Sequence, residues 1–169
     1  LQGLEPLAKM IMSQRVTNVE QTASKYLSNK IETIEDALAG ARFIMAEWIN
    51  ERTDIRDNIR QQLARFAIIS SKIIKSKTNE EKAQKFKDYF DWQEALKRIP
   101  SHRLLAILRA ENEGFIRVKT TIDSDGAVQK IEDRMIRIPN ACTPEIQLAI
   151  RDAFKRLLFT SLALSLLNL

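Results

Sequence analysis

The chain has 169 residues, a formal net charge of +5, and 44% hydrophobic and 29% charged residues, the make-up of a soluble globular protein rather than a disordered tail. Four Gly and four Pro, about 5% of the chain against roughly 12% on average, argue against a turn-rich sandwich or barrel. Gly3, Gly40, Gly114 and Gly126 stand too far apart for a phosphate-cradling glycine loop, and one His and one Cys exclude both an internal disulfide and a Cys/His zinc site built from this chain alone.

The sequence opens on Leu1-Gln2-Gly3 without Met or a secretory pattern, which reads as a piece of a longer, cytoplasmic polypeptide. Leu4, Leu7, Ala8 and Ile11 predict a first helix, and Thr17 with Glu20 reads as a capping box opening another. From Ile34 to Ile49, Ala37, Leu38, Ala41, Ile44, Met45 and Trp48 recur every three or four residues and define one face of a four-turn helix. Ile55, Ile59, Leu63 and Phe66 continue the pattern in a neighbour capped by Thr53 or Asp54. Residues 67–74 are rich in β-branched side chains and read as extended. Thr78 with Glu81 predicts a helix to about Phe90, with Ala83, Phe86 and Phe90 inward, followed by a short helix over 93–97 that ends before Pro100. Ser101 is then expected to cap a helix to Asn112, with Gly114 taking the left-handed exit.

Residues 115–122 alternate with a period of two, the clearest strand of the chain. Asp123 to Gly126 reads as a turn, and Val128, Ile131, Met135 and Ile138 favour a helix over a strand across 135–139. Thr143-Pro144 opens a last helix through Ile146, Ile150, Phe154 and Leu157. The apolar run of 157–169 is shorter than the roughly 20 residues that span a bilayer; it reads either as a helix that packs on a further segment or as a junction between discontinuous pieces. The fold expected is mainly α, a multi-helix scaffold with one small β element and no membrane span.

Charge is unevenly spread. Residues 1–60 hold 8 basic and 9 acidic groups, 61–120 hold 13 and 7, and 121–169 hold 6 and 6. Lys72, Lys75, Lys77, Lys82, Lys85 and Lys87, with Arg98, Arg103 and Arg109, are therefore the candidate phosphate contacts, against the alternative of a solvated face. Arg117 and Lys119 would join them only if the helix after Pro100 and the following strand lie side by side. Tyr89 and Trp92 beside these lysines read as base-stacking groups or as core. Arg52, Arg56 and Arg60 stack along one helix side and call for an acidic surface. A His102–Cys142 nucleophilic dyad has no supporting motif, so His102 reads as packing the first turn of its helix and no enzyme chemistry, cofactor or metal is implied.

Several strings together resemble the Tex family of bacterial transcription accessory proteins: Gly3-Leu4-Glu5-Pro6-Leu7-Ala8, Asp36 to Arg42 running into Ile44 to Ile49, Asp88-Tyr89-Phe90, and Asp152 to Leu158. The most specific is Pro100-Ser101-His102-Arg103, continued by Leu104-Leu105-Ala106 and by Arg109 to Gly114. Ala110 replaces the family's usual glycine, and Thr160-Ser161 leads into an apolar tail where the family has Pro-Ser and a charged helix. The resemblance implies that residues 1–158 are the N-terminal helical region of a multidomain, cytoplasmic, nucleic-acid-binding factor linked to transcription, related to a eukaryotic elongation factor that also chaperones histones, with 159–169 an atypical tail. It implies RNA or DNA as partners of the full-length protein, with RNase H-like, helix-hairpin-helix and OB-fold domains beyond Leu169 and contact with the transcription machinery. The fragment itself is expected to be non-catalytic, either a scaffold with weak sequence-independent nucleic-acid binding or a protein-docking module.

Overall fold

The apolar positions recurring through residues 34–49 close into the longest helix of the computed structural model, in which residues 3–167 are described. In chain order the elements are α1 (Glu5–Met12), α2 (Val19–Ser24), α3 (Ile34–Glu51), α4 (Thr53–Phe66), β1 (Ile68–Ile73), β2 (Asp91–Ala95), α5 (Ser101–Asn112), β3 (Ile116–Thr121), α6 (Ser124–Met135), α7 (Thr143–Asp152) and α8 (Phe159–Leu167). A 3-10 segment at Glu81–Tyr89 precedes β2, and a π-helical segment at Ala153–Leu158 joins α7 to α8. The fold is mainly α with one small antiparallel sheet, divided into a unit of residues 1–59 with 124–169 and a second unit of residues 60–123.

In the first unit Thr33 opens α3. Its Oγ1 accepts from the Asp36 amide at 3.0 Å, and Asp36 Oδ2 accepts from the Thr33 amide at 3.2 Å, a reciprocal cap. The helix buries Leu38, Ile44, Met45 and Ile49 against α1, α2, α7 and the π segment, each large side chain contributing about 1.5–3 kcal/mol through lost apolar exposure. At Gly40 the approach of α1 is so close that a Cβ would stand 2.3 Å from Leu4 Cδ1. Arg42 bridges from α3 to Glu145 in the first turn of α7, Nη1 to Oε2 at 2.6 Å, and also bonds Glu35. Burial opposes the guanidinium charge, but the two carboxylates outweigh it and raise the Arg42 pKa. Arg156 of the π segment bonds Asp152, lies 3.8 Å from Glu47 and covers the Phe43 ring.

Several local expectations shift here. The cap of α2 is Asn18, whose Oδ1 accepts from Gln21 N at 3.0 Å, so the Thr17–Glu20 box does not form. Ser124, Asp125 and Gly126 lie in the first turn of α6 rather than in a turn of their own. That helix stops at Met135 because the amide of Arg137 donates to Gln14 Oε1 and Pro139 disfavours helix just before it; Ile138 is accordingly 74% exposed. Thr143 is a helical residue whose hydroxyl accepts from Asn140 N instead of capping α7. Arg52 is satisfied by Asp54, two residues on, and Arg56 by the carbonyl and amide oxygens of Asn50, so Arg56 needs no acidic surface. The Arg52 hydrogen bond is the main cause of a lowered Asp54 pKa. The tail is helical through Leu167, with Leu162 and Ala163 buried. Among the described residues no helix is long and apolar enough to cross a membrane.

In the second unit β1 is the middle strand, flanked by β2 and β3. Ile69 and Ser71 of β1 and Ile116 of β3 point to the covered side, where Ala83, Phe86, Ile107, Ala110 and Phe115 complete a small core. The buried Ser71 hydroxyl donates to the Tyr89 carbonyl at 2.7 Å. The helix expected over 78–90 is instead a 3-10 segment: Ala83, Phe86 and Tyr89 repeat every third residue, the period of that helix. Thr78 Oγ1 donates back to the Lys75 carbonyl, so no capping box is available. Of the helix expected over 93–97, residues 93–95 belong to strand β2, whose backbone pairs with β1, and residues 96 and 97 open the short 3-10 turn Leu96–Arg98. Ser101 lies inside α5, with Pro100 at the cap position offering no side-chain acceptor, and His102 is exposed rather than packed. Gly114 takes the left-handed exit at φ +85° as expected. Phe66 is 59% exposed, because the chain leaves the helix there and the small Ala67 takes the buried position.

Candidate nucleic-acid interface

The second unit contains fourteen Lys and Arg residues against eight Asp and Glu, whereas the first contains thirteen against fourteen. All nine predicted contact residues fall in the basic unit, but the fold does not gather them on one face. Alternation along the sheet decides where they go. Lys72 opposes Arg117 across β1 and β3 and Asp91 across β1 and β2, on the face opposite Ile69 and Ile116. Ser70 opposes Lys119 on the same open face. Helix α5 does lie beside β3, yet Arg117 and Lys119 point away from it, into solvent. Like charges directly opposite each other across strands are unfavourable unless an anion sits between them; the Lys72–Asp91 pair, 3.9 Å apart with both side chains largely exposed, offsets little of that.

On the covered side the 3-10 segment carries Lys82, Lys85 and Lys87 outward. Lys85 lies 3.8 Å from Glu113 and 5.0 Å from the Phe86 ring centre. Lys75 and Lys77 occupy the 3-10 turn after β1, where Lys77 bonds Glu80. Arg98 sits exposed in the turn before α5, and Arg109 in the last turn of that helix, where a cation suits the macrodipole. Arg103 differs from the others: its Nη1 reaches Glu94 Oε1 at 2.5 Å and Oε2 at 2.8 Å, tying α5 to β2. Tyr89 and Trp92 meet edge to face, 5.8 Å between centres, and pack against the core with Phe86 and Phe90, so they do not present a row of open stacking faces. Arg117 and Lys119 thus share the open face with Lys72 although α5 and β3 lie side by side; the alternation over 115–122 places both on one face, but which face is open depends on strand register.

Cys142 and His102 belong to different units. Cys142 is buried, its Sγ donates to the Val16 carbonyl at 3.4 Å, and burial pushes the thiol pKa up, away from the reactive thiolate. Among the described residues no three His, Cys, Asp or Glu side chains group as metal ligands.

The molecule is thus a mainly helical assembly carrying a basic, sheet-containing second unit. A family model described as Tex central region-like matches residues 14–162. The chain is 31% identical over 173 residues to the transcriptional accessory protein Tex of Neisseria gonorrhoeae, covering 98% of this chain and 22% of that protein. It is 33% identical over 138 residues to protein tex of Bordetella pertussis, 80% of this chain and 17% of that one, and 32% identical over 142 residues to human S1 RNA-binding domain-containing protein 1, 76% and 14% respectively. The chain belongs to the Tex family and spans about a fifth of the length of the Neisseria relative.

Proposed function

We propose that residues 1–158 act as a non-catalytic helical scaffold of a cytoplasmic, nucleic-acid-binding transcription accessory factor, and that the unit of residues 60–123 adds weak, sequence-independent phosphate contacts. The observation carrying this reading is the charge partition: an excess of six positive charges in that unit and a deficit of one in the other. The relatives' names support the class, one a transcriptional accessory protein and one an S1 RNA-binding protein. The full-length protein would supply RNA or DNA affinity through further domains and could engage the transcription machinery. Lysines act as point charges and do not read bases.

The test is binding of this chain to a fluorescent single-stranded RNA across a salt series. Each phosphate neutralised adds a slope of about 0.7, so replacing Lys72, Arg117 and Lys119 together by Ala should reduce the slope by about 2. Replacing Lys82, Lys85 and Lys87 together tests the 3-10 face in the same way. An unchanged slope in both, or no binding by the unsubstituted chain at low salt, returns the basic unit to a solvated surface. A docking role is favoured separately by α8, where Leu164 is 56% exposed beside buried Leu162; sedimentation of this chain against a longer one tests that reading through self-association.

A further inference from the structure

A cleft of about 620 Å³ lies wholly within the first unit, between α6 and the continuous run of α7, the π segment and α8. That volume is within the range of small-ligand sites. Its α6 wall carries Asp125 and Glu132, two turns apart; its other wall carries Arg151 and Lys155, one turn apart, with Phe154 and Phe159. Glu132 is only 8% exposed, and its Oε1 has no hydrogen-bond partner. A buried carboxylate oxygen left without a donor is destabilising, and native proteins tolerate few of them. The nearest obvious remedy would be a salt bridge across the cleft, yet among the described residues neither Arg151 nor Lys155 forms an ion pair. An acidic wall and a basic wall therefore share one cleft without neutralising each other. Between them the Phe154 and Phe159 rings, 5.7 Å apart, offer an apolar floor. The basic wall is built where the helix widens into the π form, a local distortion found frequently at functional sites.

A simple cation would be drawn to Glu132 and repelled by Arg151 and Lys155, and a simple anion would meet the reverse. Only a ligand carrying both charges satisfies both walls. We infer that this cleft binds a small amphoteric molecule, its cationic group hydrogen-bonded to Glu132, its carboxylate held by Arg151 and Lys155, and its aliphatic linker laid against Phe154 and Phe159. A guanidinium suits the Glu132 end because it is weakly hydrated and donates in a fork that matches a carboxylate. This site is separate from the basic unit and does not depend on nucleic-acid binding.

The probe is Nα-acetyl-L-arginine, which has one guanidinium and one carboxylate, titrated into the isotope-labelled chain and followed by amide NMR shifts. Nα-acetyl-L-citrulline lacks the cation, and the amide of Nα-acetyl-L-arginine lacks the carboxylate. Acetyl-arginine should shift residues around the cleft and bind about tenfold or more tightly than either control, since a charge-assisted hydrogen bond is lost with each. Glu132→Gln should reduce acetyl-arginine to the level of the citrulline compound, and Arg151→Ala with Lys155→Ala to the level of the amide. Glu132→Gln should also melt no earlier than the unsubstituted chain, because it keeps the side chain's size while replacing a carboxylate whose buried Oε1 has no donor. The inference is overturned by an absence of cleft shifts with acetyl-arginine, by equal binding of all three compounds, by binding that survives Glu132→Gln, or by a lowered melting temperature in that variant.

Discussion

Gln14 is, among the described residues, the non-glycine residue held at positive φ, +61°. L side chains are strained there by about 1–2 kcal/mol. The surroundings explain why it persists. Its side-chain amide donates to the Met135 carbonyl at 2.6 Å, its Oε1 accepts from the Arg137 amide at 3.0 Å, and its carbonyl accepts from Asn140 Nδ2 at 2.5 Å. Gln14, two residues past the end of α1, thus fixes the loop between α6 and α7. Gln14→Ala removes both side-chain bonds and keeps the strain, whereas Gln14→Gly removes the bonds and relieves it. Both should be less stable than the native chain, but the glycine variant should be the more stable of the two by about 1 kcal/mol in denaturant titration, the reverse of the usual order of these residues. An alanine variant equal to or better than glycine would show that the backbone there is not strained.

At the level of elements, legibility followed how much each segment decides for itself. Helix α3 could be read because its apolar face runs unbroken over four turns, and β3 because its period of two is regular. Strand β2, with the sequence Asp91-Trp92-Gln93-Glu94-Ala95, has little β preference of its own and becomes a strand only because β1 offers it a ladder. The 3-10 segment reads as α from its sequence because Ala83 and Phe86 fit both periods; Tyr89, three residues on, separates them. The free edge of β3 is also managed by a neighbour: the Val118 amide donates to Glu111 Oε2 of α5 at 2.8 Å, which occupies a donor otherwise open to another strand. Arg103 is the sharpest case of a residue whose role depends on packing. Its place in the basic stretch groups it with the phosphate contacts, yet its partner is Glu94, with the two side chains 35% and 24% exposed. Arg103→Ala should destabilise the second unit by about 1 kcal/mol, after allowance for partial solvent screening, while the salt slope of RNA binding stays as it was. A reduced slope in a variant shown to be folded would return Arg103 to the binding surface.

For the molecule as a whole, the sequence disclosed how much charge there is but not which surfaces share it. The basic excess was visible as a count over residues 61–120, and the boundaries of the unit at 60 and 123 coincide closely with it. The open sheet face and the Glu132 cleft were not visible, since both depend on side chains brought together by strand register or by helices distant in sequence; Glu132 alone reads as one more surface carboxylate. The coincidence of charge and architecture makes a prediction that binding strength alone does not. The first unit carries no positive excess, so a strand of nucleic acid held electrostatically should perturb chiefly the unit that carries one. Titrating single-stranded RNA into the labelled chain should move amide signals of residues 60–123, above all those around Lys72, Arg117 and Lys119, and leave α3, α6 and α7 in place. Raising the salt should reverse the shifts together, because one counterion-release process governs them all. Signals in the first unit that move as far, or shifts in the second that persist at high salt, would mean that the contact is not the charge-driven one the partition of basic residues implies.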